Sequence, residues 1–188
     1  MKLDLRFVFR PIEEIWSRIL VGLVFEGSLN ETEGMAALDA KTGGYLSRLQ
    51  GTGFWRGARG ETLLVASGGA VKAEKILLKG LGPRAGCNAR RLSETLKEAG
   101  AAIDRMALAD VAVHIPALPE ERAGALVLET GCAALVGPFF RAHGGEDDFL
   151  LKIVVPVHPA LRQMGDDLVR RLRACFLPRM ACSIIFTA

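Results

Sequence analysis

The stretch LDAKTGGYLSRLQGTGFWRGARGETLLVASGGAVKAEKILLKGLG, residues 38–82, decides the fold. Residues 39–49 read as a pair of helical segments broken at Gly43 and Gly44, because glycine accepts the positive φ that such a break needs. Residues 60–65 read as a turn feeding a strand. Residues 62–66 and 75–79 are two strands, and Gly68-Gly69 between them suits a hairpin turn with positive φ. If those strands pair antiparallel, the sheet that holds them is mixed. The second strand is apolar enough to be buried and ends in Gly80-Leu81-Gly82.

Upstream, Leu3, Leu5, Phe7 and Phe9 alternate with polar or smaller neighbours, the period of a half-buried strand. A short helical turn is expected over 11–16. Residues 18–25 (RILVGLVF) are nearly all apolar, as a central strand covered on both faces must be, and Gly27 and Ser28 close it. A helix is read over 31–40, with Asn30 or Thr32 as its N-cap. Downstream, 88–99 is amphipathic with Leu92, Leu96 and Ala99 on one face. Asn88 is its expected cap and Gly100 its expected stop. Residues 106–115 hold a strand. Pro119 suits a first helical turn, residues 120–136 form a helix with more apolar residues than one face needs, and Pro138 marks its end. A polar turn at 144–148 precedes a strand over 149–157, a helix over 159–176 and a short strand over 183–186. Strands alternating with helices favour an α/β sheet with helices on both faces. Residues 1–188 read as one domain, with no internal repeat.

Half of the 188 residues are apolar and only 6% are aromatic, so the core is aliphatic. A formal charge of +3 is too weak a bias for nucleic acid. Lys2, Asp4 and Arg6 interrupt the N-terminal apolar residues, which argues against a signal peptide. No window reads as the roughly 18 apolar residues of a membrane span. Cys87, Cys132, Cys175 and Cys182 share no metal-type spacing, and Cys132 reads as a buried free thiol. A soluble cytoplasmic protein is expected, with no nucleic-acid or membrane partner.

In order and spacing, these pieces resemble the N-terminal domain of the leucyl aminopeptidase family, the M17 cytosol aminopeptidases. Asp39, Gly43, Gly44 and Leu49 occupy the places of that family's helix, Gly-Gly break and short helix. Gly60-Glu61-Thr62-Leu63 and Gly80-Leu81-Gly82 match two further motifs. Glu129 and Gly131 stand where the family often has a Glu-Gly pair, here with Thr130 between them. The resemblance implies a macro-domain-like, three-layer α/β/α sandwich with a mixed central sheet. In full-length members this domain packs within hexamers beside a C-terminal metal-dependent peptidase domain, which holds the catalytic residues. Its Asn-Thr-Asp-Ala-Glu-Gly-Arg motif does not occur in this sequence, which stops about where that domain would begin. Asp166 and Asp167, the nearest paired carboxylates, sit among Arg162, Arg170 and Arg171 at ion-pair spacing. No catalytic residue, metal ligand or cofactor is therefore expected, and the chain by itself is not expected to hydrolyse peptides.

Two candidate sites remain. Gly80 and Gly82, with Arg84, could cradle a phosphate at a strand end; Gly43 and Gly44 resemble the glycine-rich loop of ADP-ribose-binding macro domains. Against the first, Pro83 removes a donor and Ala85 stands where the dinucleotide motif needs glycine. Tight chain connections explain both. Phe54, Trp55 and Arg56 form either an interface anchor or a loop tucked over the core. Arg170, Arg171, Arg173 and Arg179 read as a solvated face. His114, His143 and His158 read as surface or hydrogen-bonded histidines. The expected role is a non-catalytic, stand-alone module for protein association or regulation, its partner a second copy or a full-length aminopeptidase. The alternatives are a binder of a nucleotide or ADP-ribose and a fragment of a longer metal-dependent aminopeptidase.

Overall fold

The computed structural model describes residues 1–27, 29–31, 34–118 and 124–187. In chain order its elements are β1 (Lys2–Val8), β2 (Ser17–Phe25), α1 (Met35–Lys41), α2 (Tyr45–Gly51), β3 (Thr62–Ala66), β4 (Ala73–Gly82), α3 (Ala89–Arg105), β5 (Asp110–His114), α4 (Gly124–His143), β6 (Leu150–Pro156), α5 (Gly165–Phe176) and β7 (Ala181–Thr187). Short 3-10 turns occupy Ile12–Glu14, Leu29–Glu31 and Pro159–Met164. The parts read for Ser28, Thr32 and Pro119, and the start of the helix read over 120–136, lie outside the described residues.

The apolar run of β2 sits inside a seven-stranded sheet of order β3-β4-β2-β5-β6-β1-β7. β2 runs parallel to both its neighbours, β4 and β5. Among the described strands only β3 is antiparallel, paired to β4 with Thr62 opposite Lys79 and Ala66 opposite Lys75. The sheet is thus mixed and layered as expected. Side chains alternate along β2. Ile19, Val21, Leu23 and Phe25 enter a core shared with α3, α4 and α5, while Leu20 and Val24 enter a second core under α1 and α2. Burying each such side chain contributes roughly 1.5–3 kcal/mol, so β2 helps hold the helices on both faces of the sheet. Gly22 belongs to the second face. A Cβ there would lie 2.8 Å from Met35 and Leu78, so its absence lets α1 settle onto the sheet.

Several element ends differ from the sequence reading. Gly100 does not stop α3, which continues to Arg105. The reason is tertiary: a Cβ at Gly100 would lie 2.3 Å from the Leu135 carbonyl oxygen, so the glycine is where α4 presses against α3. Pro138 does not end α4, which continues to His143 with the proline buried inside it. α4 is long and apolar enough by length and composition to cross a membrane, contrary to the reading that no window reaches that size. Here its apolar surplus packs against α3, α5 and the sheet: Val127, Leu128, Cys132, Leu135 and Phe139 all belong to the first core. The helix read over 159–176 is a 3-10 turn followed by α5, and the last strand is longer than expected, pairing parallel to β1 with Lys2 opposite Ala181. Asn88 caps α3 as expected, its side chain accepting from the Arg91 N–H.

Candidate functional site

Gly43 and Gly44 make the turn between α1 and α2, with φ of 65° and 71°. The turn is closed by its own neighbours. The Gly44 N–H donates to the Asp39 carbonyl, and the Arg48 guanidinium donates to the Gly43 carbonyl at 2.7 Å. The buried Asp39 carboxylate accepts from the Ser47 N–H at 3.0 Å and from the Ser47 hydroxyl. It thus satisfies one of the orphan donors in the first turn of α2 from outside that helix.

Gly80 and Gly82 lie at the carboxyl end of β4, against the loop that carries the aromatic motif. A Cβ at Gly80 would come within 2.0 Å of the Ala58 carbonyl oxygen. The Gly82 N–H donates to the Gly57 carbonyl, and its own carbonyl accepts from Glu26. Arg84 holds its guanidinium 5.2 Å from the centre of the Phe25 ring. These glycines therefore allow a loop to cross the strand ends closely.

The crossing loop is fixed from several sides. The Glu61 carboxylate accepts from the Arg56 N–H at 2.9 Å and the Ala58 N–H at 3.0 Å. Those backbone donors, Arg56 first, hold its carboxyl below the ordinary range. The Arg56 carbonyl accepts from the Gly27 N–H, and the Phe54 N–H donates to the Leu49 carbonyl. Trp55 is 2% exposed and packs in the second core, so the loop is tucked down through Trp55. Phe54, by contrast, is 73% exposed, and Arg56 is exposed beside it. The structure thus brings Gly80, Gly82 and residues 54–56 to one corner of the molecule, with Gly43 and Gly44 on a separate turn.

Neither those seven residues nor Arg84 line the cavity of about 390 Å³ that opens at the carboxyl ends of β1, β5 and β6. Phe9, Arg10, His114, Val127, Leu128, Val157 and Leu161 are among the residues that do. Its size and largely apolar wall suit a small ligand, and strand carboxyl ends are where open α/β sheets bind ligands. His114, the last residue of β5, is 9% exposed, and its Nδ1 has no hydrogen-bond partner among the described residues. Burial pushes its pKa down to about 4, so the ring is neutral at pH 7. It is therefore neither a surface nor a satisfied histidine, contrary to the sequence reading. The signal was faint: a lone histidine closing an apolar strand. His143 and His158 are hydrogen-bonded, as expected. His143 bonds Asp104 at 2.7 Å and Glu146 at 3.0 Å, and His158 caps the turn that follows it, accepting from the Ala160 N–H.

Other candidate chemistry is quiet. Asp167 pairs with Arg170 at 2.6 Å and Arg171 at 2.7 Å. Arg173 is not merely solvated, because it reaches the Ile184 carbonyl. Cys132 is buried, and burial pushes its thiol up to about 12, far from a nucleophile's range. Among the described residues no three or more His, Cys, Asp or Glu side chains gather as they would around a metal ion.

Comparison with known proteins places these features. The cytosol aminopeptidase family, N-terminal domain, matches residues 20–136. A probable cytosol aminopeptidase of Halorhodospira halophila is 31% identical over 109 residues, which is 58% of this chain and 21% of that protein. One from Alkaliphilus oremlandii is 31% identical over 71 residues, 38% of this chain and 14% of that protein. The chain thus spans about a fifth or less of the length of these relatives. Among solved structures, a variant of tomato leucine aminopeptidase superposes with a TM-score of 0.68 at 13% identity, over 91% of this chain and 35% of that one. An Oceanobacillus iheyensis macrodomain variant with ADPR superposes with a TM-score of 0.65 at 12% identity, over 89% of this chain and 92% of that one. The fold is that of the macrodomains and of the leucine aminopeptidase N-terminal domain.

Proposed function

This chain belongs to the cytosol aminopeptidase family through its N-terminal domain, and from that premise we propose that residues 1–188 act as one non-catalytic association module, working in the cytoplasm. Its partner is a second copy or a full-length aminopeptidase. The observation that carries this reading is Phe54. A large aromatic side chain stands 73% exposed on a loop whose backbone is already pinned by Glu61, Gly27, Leu49 and Gly82. A rigid loop loses little conformational freedom when it binds, and an exposed aromatic on such a support suits an interface anchor.

The test compares the wild-type chain with Phe54→Asp, alone and with a full-length family aminopeptidase, by sedimentation velocity. The wild type is expected to form a larger species that the variant loses. A wild type that stays monomeric and ignores the aminopeptidase contradicts the reading. A leucine-amide assay with manganese or zinc should give no turnover attributable to this chain.

The cavity beneath His114 favours a second reading, a binder of ADP-ribose or a nucleotide. A macrodomain from Trypanosoma brucei in complex with ADP-ribose shares the fold, with a TM-score of 0.58 over 89% of this chain and 67% of that one. Titration calorimetry with ADP-ribose and a nucleotide panel decides it. Micromolar heats abolished by His114→Ala support it, and silence across the panel removes it. The same family membership is compatible with a third reading, the N-terminal part of a longer metal-dependent aminopeptidase.

A further inference from the structure

β3 is an edge strand. The Glu61 carbonyl accepts from the Gly80 N–H, and the Ser67 N–H donates to the Glu74 carbonyl. In an antiparallel pair the inward-facing residues alternate. Leu63 and Val65 therefore spend their backbone groups on β4, and those of Thr62, Leu64 and Ala66 point outward. Among the described residues, no hydrogen bond from elsewhere in the chain reaches that outward row.

Natural edge strands are usually blunted by charge, proline, a bulge or a covering group. The opposite edge of this sheet follows the rule: on β7 the Arg173 guanidinium reaches over to the Ile184 carbonyl. Among the described residues, β3 carries none of these. Thr62–Ala66 reads TLLVA, without charge or proline, and Leu64 is 47% exposed.

From this we infer that the outer edge of β3 pairs antiparallel with β3 of a second copy, across a two-fold axis at Leu64. The partner follows from self-complementarity. With Leu64 opposite its symmetry mate, Thr62 falls opposite Ala66 and Ala66 opposite Thr62. All three outward-facing residues then become hydrogen-bonded pairs, giving six new N–H to carbonyl bonds. The two Leu64 side chains lie side by side and cover each other's exposed surface. On the other face Leu63 meets Val65 of the mate in the closer, non-bonded kind of pair. An uncharged strand meets its own copy with no like charges opposed. A closed two-fold contact of this kind stops at a dimer, the usual symmetry of soluble homo-oligomers.

The proposal rests on the association reading and names its partner. Sedimentation velocity is run on the wild type, Leu64→Lys and Phe54→Asp, each with its melting curve recorded. Leu64→Cys and Leu177→Cys, both at exposed positions, are oxidised mildly beside the parent chain and run on non-reducing gels. The expected outcome is a wild-type dimer whose dissociation constant rises about tenfold or more in Leu64→Lys, with cross-linking in Leu64→Cys but not in Leu177→Cys. A wild-type dimer indifferent to Leu64→Lys overturns the β3 pairing and leaves association standing, as does a monomer that still binds a full-length aminopeptidase. A monomer that binds nothing overturns both. Leu64 is 47% exposed, so Leu64→Lys is expected to fold; if its melting curve shows otherwise, the cysteine cross-link decides the pairing.

Discussion

His114 and His143 respond to pH in opposite senses, and each response follows from what its ring touches. The His114 ring is buried, and its Nδ1 has no partner among the described residues; burial lowers its pKa to about 4, against about 6.5 in an unfolded chain. Its share of stability is whole above pH 6.5 and drains away as pH falls toward 4. The difference amounts to about 3 kcal/mol at the acid end. Replacing it with leucine, which cannot protonate, should flatten that limb. Urea midpoints measured from pH 7 to pH 4 should fall less steeply in His114→Leu than in the wild type. Parallel curves would mean that the ring is solvated in the folded state. For His143, partial burial pulls the pKa down, but the Asp104 and Glu146 hydrogen bonds outweigh it and raise the value. Its contribution is therefore whole below pH 6.5 and is lost as pH rises through the folded pKa. His143→Gln should cost stability at pH 6 and nearly none at pH 9, by the same urea midpoints; an equal cost at both would remove the charge from the explanation. Neither environment was legible in the sequence. The partners of His143 include Asp104, which is 39 residues away, and the isolation of His114 is a property of packing.

At the scale of elements, signals carried by neighbouring residues were readable and those carried across space were not. Asn88 begins α3 through its own third neighbour, and Gly68-Gly69 turn β3 back toward β4 with positive φ at both. Gly100 and Pro138 were misread for a common reason. Each has a local meaning, stop or break, that helix packing overrides. Gly100 leaves room for the Leu135 carbonyl of α4, and α4 runs through Pro138 because its buried face is held on both sides of the proline. Gly100→Ala should therefore destabilise the protein, although alanine is the better helix former. Crowding a packed contact costs roughly 1–3 kcal/mol, against a propensity gain of about 1 kcal/mol. A lower thermal midpoint is the expected result. A raised one would mean that α3 and α4 sit farther apart than described.

For the whole molecule, the resemblance to the aminopeptidase N-terminal domain supplied the layers and the mixed sheet, and the alternation of β2 explains why both faces are covered. The seating of β7 beside β1 was out of reach, because nothing local sets which distant strand a parallel edge chooses. The cavity was equally hidden. Phe9, His114 and Val157 meet there only because β1, β5 and β6 are close in the sheet. The glycines were legible as glycines, but their use was tertiary: Gly80 and Gly82 admit the loop that presents Phe54. The association proposal rests on an exposed aromatic at one corner and an uncharged strand at one edge. The most direct measurement is the mass of the wild-type chain by sedimentation equilibrium at micromolar concentration. A species of twice the 20.2 kDa chain is expected, which Leu64→Lys returns to one. A single 20.2 kDa species at every concentration, unchanged when a full-length family aminopeptidase is added, would contradict it.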